Sequence, residues 1–275
     1  MCIIFLDTAP VHNLSLILAF NRDEAKSRPT LPLHYWESDK LYAGKDNSTE
    51  GLVDGTWLGI SENGNFGALL NDVHCEKAGP AFNPDSYSRG RLVPDLLTTR
   101  QSPEEYISML QKNKKQYNFF NLVMGQFVED QVKVSVYNYY HNELIILPYG
   151  ISCYGNLPPS YVNPRTEFGS SLFSRVIAEF EKQNFQDDTS RNLYITDVLL
   201  KMLSNTHKIP NNLGLPESFE HVFNEGFNTV RLLEIGTVSS TILLVDKNKN
   251  CLLTERTNFV DKENCVKEFK WNFRD

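Results

Sequence analysis

The order in which strand-like and helix-like segments follow one another restricts this chain more than any other feature. Cys2 to Leu6 and Leu14 to Phe20 are short apolar runs joined by the turn-rich Asp7-Thr8-Ala9-Pro10-Val11-His12-Asn13, the pattern of a β-hairpin. A proline-containing stretch, Arg28-Pro29-Thr30-Leu31-Pro32, is expected to break regular structure. Gly55 to Ser61 and Phe66 to Asn71 then flank Asn63-Gly64, a dipeptide whose tolerance of positive φ makes it a strong hairpin signal. Ser102-Pro103-Glu104-Glu105 is a capping box with proline at the first helical position, leading into Tyr106, Met109 and Leu110 at helical spacing. Strands Phe119 to Val128 and Val132 to Tyr140, with a third at Glu143 to Leu147, form a meander. Leu172, Phe173, Val176, Ile177 and Phe180 mark a second helix. Leu193, Ile195, Val198, Leu199, Met202 and Leu203 mark a third, ending before Pro210. Ser240 to Val245 and Cys251 to Glu255 close the chain as a hairpin. Strands, helices and strands again, without regular alternation, predict an α+β fold of layered antiparallel sheets. With no repeat, low-complexity tract or linker, residues 1–275 are expected to form a single domain.

Composition narrows the function classes. At 275 residues with 41% hydrophobic and 22% charged, the chain has the make-up of an ordinary globular protein. A net charge of -7 argues against a general nucleic-acid binder, which needs clustered Lys and Arg. No apolar stretch approaches the ~20 residues that cross a bilayer, and no basic-then-apolar leader opens the chain. The reading is a soluble, intracellular protein. Its five cysteines (Cys2, Cys75, Cys153, Cys251 and Cys265) are odd in number and lack a Cys-x-x-Cys pair, which disfavours a disulfide framework and a zinc site, and no structural metal is expected.

Cys2 is the residue with most chemical reach. Were Met1 removed, Cys2 would carry a thiol and a free α-amine, a nucleophile and a base titrating near pH ~8.5 and ~8. Asn21-Arg22-Asp23-Glu24, at the end of the second apolar run, returns beside it in the expected hairpin. Asn71 ends another strand, where its carboxamide serves as an oxyanion donor or as a turn cap. His74-Cys75 is the one ligand-rich dipeptide, a thiolate and an imidazole suited to a soft metal or haem iron. Phosphate-binding glycine motifs and the Gly-x-Ser-x-Gly elbow are absent. The aromatic clusters Tyr35-Trp36, Phe119-Phe120 and Tyr137-Asn138-Tyr139-Tyr140 are core by default, or walls for a flat hydrophobic ligand.

A set of segments spans the chain in order: Met1-Cys2-Ile3-Ile4-Phe5, Leu18 to Glu24, Arg28-Pro29, Gly55 to Ser61, Phe120-Asn121-Leu122, Ser240 to Asp246 and Thr254-Glu255-Arg256. Together they resemble the transport and Golgi organisation family, also named for its NRDE motif. The resemblance implies an N-terminal nucleophile hydrolase-like fold, a four-layer αββα sandwich of two antiparallel sheets flanked by helices, close to the bile salt hydrolase and penicillin V acylase branch. It implies Cys2 as nucleophile, Arg22 and Asp23 (or the adjacent Glu24) as the charged support of the thiolate and amine, and Asn71 as an oxyanion donor.

Two positions depart from that branch. Gly150-Ile151-Ser152-Cys153 stands where a Gly-Leu-Ser-Asn segment carries a second amide, leaving Asn156 as a substitute only if the loop rearranges. Gly236-Thr237-Val238 replaces a usual Gly-Thr-Arg. Losing one oxyanion donor costs ~10² to 10³ in rate. What the resemblance implies for function is therefore haem trafficking rather than turnover. The expected role is a carrier that takes haem, or a similar flat amphipathic ligand, from membranes or storage compartments by transient membrane contact and passes it to haem-accepting apoproteins. Cys2, His74 and Cys75 are the candidate haem contacts, and Arg22, Arg28 and Arg89 the candidate partners of its propionates. The alternative is an N-terminal cysteine amidohydrolase or acyl-transfer enzyme acting on a non-peptide C–N bond through Cys2.

Overall fold

The computed structural model describes residues 2–9, 11–48, 54–72, 83, 85–99, 101–113, 116–161, 163–207, 235–258 and 265–273. Among these lie two antiparallel sheets and four helices, the α+β class expected. The chain divides into two compact units, each assembled from separated segments: Met1–Lys26, Tyr149–Gly155 and Val162–Asn272 in the first, Ser27–Pro148, Asn156–Tyr161 and Phe273–Asp275 in the second.

In the first unit the strands are β1 (Ile3–Asp7), β2 (Leu14–Ala25), β10 (Ile151–Tyr154), β11 (Ile235–Asp246), β12 (Asn250–Thr257) and β13 (Cys265–Asn272), in the order β10-β1-β2-β11-β12-β13. Helices α3 (Pro164–Glu181) and α4 (Asp188–Leu203) lie on one face. Alternation along the strands decides what meets them: Ile3, Phe5, Ile17, Ala19, Ile242 and Leu244 pack with Phe173, Ile177, Phe180, Ile195 and Leu199. The intervening Ile4, Leu6, Leu18, Phe20 and Leu243 are fully buried as well. This two-sided burial is why β1 and β2 read as nearly continuous apolar runs rather than as alternating ones.

The second unit holds β3 (Thr30–Trp36), β4 (Leu41–Asp46), β5 (Leu58–Ser61), β6 (Phe66–Asn71), β7 (Phe120–Val128), β8 (Gln131–Asn138) and β9 (Glu143–Ile146), paired in sequence order. Helices α1 (Leu92–Thr98) and α2 (Pro103–Lys112) contribute Leu92, Val93, Leu96, Tyr106 and Ile107 to a cluster with Leu69, Phe120, Leu122 and Tyr137. The Asn63-Gly64 turn forms as expected, with Gly64 at φ +79°. The capping box of α2 is complete: Ser102 Oγ accepts from the Glu105 N–H at 3.2 Å and the Glu105 carboxylate from the Ser102 N–H at 2.9 Å.

The proline stretch does not break the sheet. Pro32 lies inside β3, an edge strand, at a register irregularity between Leu31 and His34, where no ladder N–H is required of it. Four elements had no clear periodicity in the sequence: β4, α1, β10 and β13. The helix predicted to end before Pro210 stops at Leu203, and Pro210 itself is outside the described residues. No helix among the described residues is long and apolar enough to cross a membrane.

Gly125 on β7 sits under the ring of Phe66, where an added Cβ would lie 2.0 Å from Cε1. Gly125→Ala is expected to destabilise the protein by about 1–3 kcal/mol through overpacking. A urea midpoint unchanged from the parent would contradict the close approach.

Candidate functional site

Strand register assembles the site in the first unit. Ile3 pairs with Asn21 across β1 and β2, so one residue further back Cys2 comes opposite Arg22. On the other side of β2, Thr237 pairs with Asp23 and Ser240 with Asn21, but the register shifts between Thr237 and Ser239, bringing Ser239 opposite Arg22. Asn21 to Glu24, expected at the end of the second strand, lie within β2, and three of the four are buried.

Alternation gives them different tasks. Asn21 points toward the helices: its Nδ2 donates to the Leu203 carbonyl at 2.8 Å, closing the C-terminus of α4, and its Oδ1 accepts the Ser240 hydroxyl at 2.7 Å. Asp23 points the same way and meets α3. Arg165 Nη2 donates to its Oδ2 at 2.8 Å and the Thr237 hydroxyl to its Oδ1 at 2.6 Å. The two charged side chains are 3% and 0% exposed. Arg22, between them in sequence, is on the opposite face, 4% exposed, with Nη2 3.6 Å from the Glu24 carboxylate.

The Asp23 backbone N–H is near enough to the Cys2 sulfur to favour its thiolate. Burial pushes the thiol above its ordinary range, and the Asp23 charge raises it further, against the lowering effects of the N-terminal charge, of that N–H and of Arg22. A thiol in this setting keeps its proton at neutral pH and is a slow nucleophile.

Arg165 was not singled out by sequence reasoning. Asn163-Pro164-Arg165 starts a helix, and Asn163 Oδ1 accepts from the Arg165 N–H at 3.0 Å as the N-cap. A cation in a first turn opposes the helix dipole, and that local mismatch is the one sequence signal that Arg165 answers a charge elsewhere.

Cys153, at the position where the resembled hydrolases carry a second amide, pairs with Phe5 and packs against the helix-facing core. Burial raises its thiol strongly. Asn71, Arg28 and Arg89 belong to the second unit. The Asn71 side chain is exposed at the end of β6, and its carbonyl accepts from Asn156 Nδ2 at 2.5 Å. The Asn156 Oδ1 is buried with no partner among the described residues, so this amide is held by its donor end and is not turned as an additional oxyanion donor. Arg28 is held by Asp46 at 2.7 Å, and Arg89 donates to the Phe119 carbonyl at 2.9 Å. Among the aromatics, Phe120 and Tyr137 are core, whereas Tyr140 is 36% exposed. His74 and Cys75 lie outside the described residues. Among the described residues no group of three or more His, Cys, Asp or Glu gathers in a metal-binding arrangement.

The family model described as Transport and Golgi organisation 2 matches residues 1–259. Similar curated proteins include the Transport and Golgi organization 2 homolog of Mus musculus, 31% identical over 276 residues, covering 96% of this chain and 95% of that protein. The homolog of Homo sapiens is 29% identical over 279 residues, with 96% and 95% covered. The Drosophila melanogaster protein is 30% identical over 230 residues, with 76% and 74% covered. Among solved structures, a variant of conjugated bile acid hydrolase from Clostridium perfringens aligns with a TM-score of 0.46 and 11% identity over 99% of this chain and 97% of that one.

Two outcomes are expected from this geometry. Arg165→Met leaves Asp23 buried without its charge partner and should cost about 3–5 kcal/mol in urea unfolding, while Arg165→Met with Asp23→Asn regains part of the loss. A single-variant cost below about 1 kcal/mol would show the pair to be dispensable. Alkylation by iodoacetamide, mapped by peptide mass spectrometry, should reach exposed Cys265 before Cys2 at pH 7. The Cys2 rate should go on climbing above the ordinary thiol range, because burial raises its thiol. Asp23→Asn should move that profile to lower pH, since the carboxylate charge raises the thiol. An unmoved profile counts against the assigned cause.

Proposed function

The chain belongs to the Transport and Golgi organisation 2 family, and from that premise we propose that it is a haem-trafficking protein, binding haem or a similar flat amphipathic molecule and handing it on. The feature that carries this reading is the placement of Cys2, a partly exposed thiol pushed toward its protonated form by desolvation and standing beside a locked carboxylate. To ligate iron, such a thiol must release that proton, which weakens the bond and makes it reversible. A carrier needs a weak, exchangeable contact; a hydrolase needs a ready thiolate. The placement of Cys153 in the core, away from the Cys2 face, and the engagement of Asn156 by the Asn71 carbonyl also weigh against efficient turnover. The word transport in the names of the relatives fits a carrier, and Cys2 with His74 and Cys75 are the proposed contacts. Haem-accepting apoproteins are the proposed recipients, and the cytoplasm, with transient contact at mitochondrial or other membranes, the proposed setting.

A second reading, an N-terminal cysteine amidohydrolase or acyl-transfer enzyme, is favoured by one specific feature: the Asp23 N–H aimed at the Cys2 sulfur with Arg22 alongside. It requires removal of Met1, which intact-mass measurement of the purified protein reports directly.

Haem titration followed in the Soret band should saturate at a defined stoichiometry, and the bound haem should transfer to an apo-acceptor. If thiolate ligation dominates, affinity should fall about tenfold per pH unit below the thiol's pKa. If Cys2→Ala, His74→Ala and Cys75→Ala each bind haem as the parent does, these contacts are misassigned.

A further inference from the structure

Ser239 has a hydroxyl with nowhere to go. It is 4% exposed, and its Oγ has no hydrogen-bond partner among the described residues. A buried polar atom left unpaired is costly, and native chains keep few of them. The hydroxyls next to it on β11 are both used: Thr237 donates to Asp23 and Ser240 to Asn21, each on the helix-facing side of the sheet. Ser239 lies between them and so takes the opposite face.

The register shift makes this arrangement specific. Counting regularly from the Thr237–Asp23 pair would put Val238 opposite Arg22; the extra residue puts Ser239 there instead. A bulge of this kind re-aims one side chain at the expense of ladder regularity. Cys2, Arg22 and Ser239 consequently stand in a row across three neighbouring strands, about 5 Å from one strand to the next. The guanidinium at the centre is 4% exposed, with the Glu24 carboxylate at 3.6 Å. Cys2 and Val238, on either side of the buried pair, are both partly exposed.

We infer that Arg22 and Ser239 form a carboxylate-binding subsite beside Cys2, in which the ligand's carboxylate takes the Ser239 O–H and the charge of Arg22. A planar guanidinium suits a carboxylate geometrically, and the orphan hydroxyl supplies the donor that distinguishes this position from a plain ion pair. The inference builds on the proposal that the Cys2 site holds a small molecule, and adds which end of that molecule sits there. Haem propionates and free fatty acids both offer the chemistry.

The test compares three probes on the full chain: haem, haem dimethyl ester, whose two carboxylates are blocked, and palmitate. The parent should bind haem at least about tenfold more tightly than the ester, a ratio set by hydrogen bonding to a charged group. Ser239→Ala should bring that ratio close to one while leaving ester affinity as it was and raising the urea midpoint, because it removes a buried hydroxyl that has no partner among the described residues. Ser239→Thr, which keeps the hydroxyl, should restore part of the preference. If only palmitate binds, and Ser239→Ala weakens it about tenfold, the subsite stands and the haem reading falls. If haem and its ester bind alike in parent and variant, the subsite is overturned and Ser239 is satisfied by water alone, while the haem reading survives. Binding of none of the three probes overturns both.

Discussion

A carboxylate with no exposure to water has to be met by charge and by hydrogen-bond donors, and in this protein meeting that demand at Asp23 draws three elements together. The residue comes from β2, its guanidinium partner from the first turn of α3, and its hydroxyl partner from β11. Isolated burial of such a charge costs several kcal/mol, whereas a fully satisfied pair is close to neutral. The ion pair is thus less a source of net stability than a restriction on geometry: any arrangement that separates α3 from the end of β2 strands a charge. Asn21 does the same for α4 with uncharged groups, binding the Leu203 carbonyl from one end of its amide and Ser240 from the other.

This restraint has a chemical consequence two residues of pleat away. Because Asp23 is fixed on the helix side, its backbone N–H is fixed too, and that N–H meets the Cys2 sulfur. The same strand then presents Arg22 on the other face, level with Cys2 and, through the shifted register of β11, with Ser239. One short sequence, Asn21-Arg22-Asp23, therefore closes a helix, sets a buried guanidinium on the opposite face and anchors α3 in turn, by alternation alone. Burial pushes the Cys2 thiol beside it toward its protonated form.

Much of the fold was legible because its signals are local. Turn chemistry at Asn63-Gly64, the capping box at Ser102 and helical periodicity from Leu172 onward each depend on residues within one turn or one hairpin. The elements missed have other reasons. β13 is an edge strand with little burial to impose a pattern, and β3 accommodates Pro32 only because an edge strand and a register irregularity release its backbone from pairing. Helix α1 is seven residues long, too short to display a period.

At the site, Cys2, Arg22 and Asp23 could be chosen from the chain because a reactive thiol near a strand start and a charged tetrapeptide at a strand end are visible as residue types. The amino-acid sequence by itself determined the family, the α+β class, the hairpin that returns Arg22 to Cys2 and the absence of an amide at Cys153. Only the tertiary structure decided that Asp23 is neutralised by Arg165, that Cys153 faces the core, and that Ser239 rather than Val238 stands level with Arg22. Those outcomes depend on contacts between residues more than a hundred positions apart and on a one-residue register shift, and a shift of one residue exchanges the two faces of a strand without altering any local pattern.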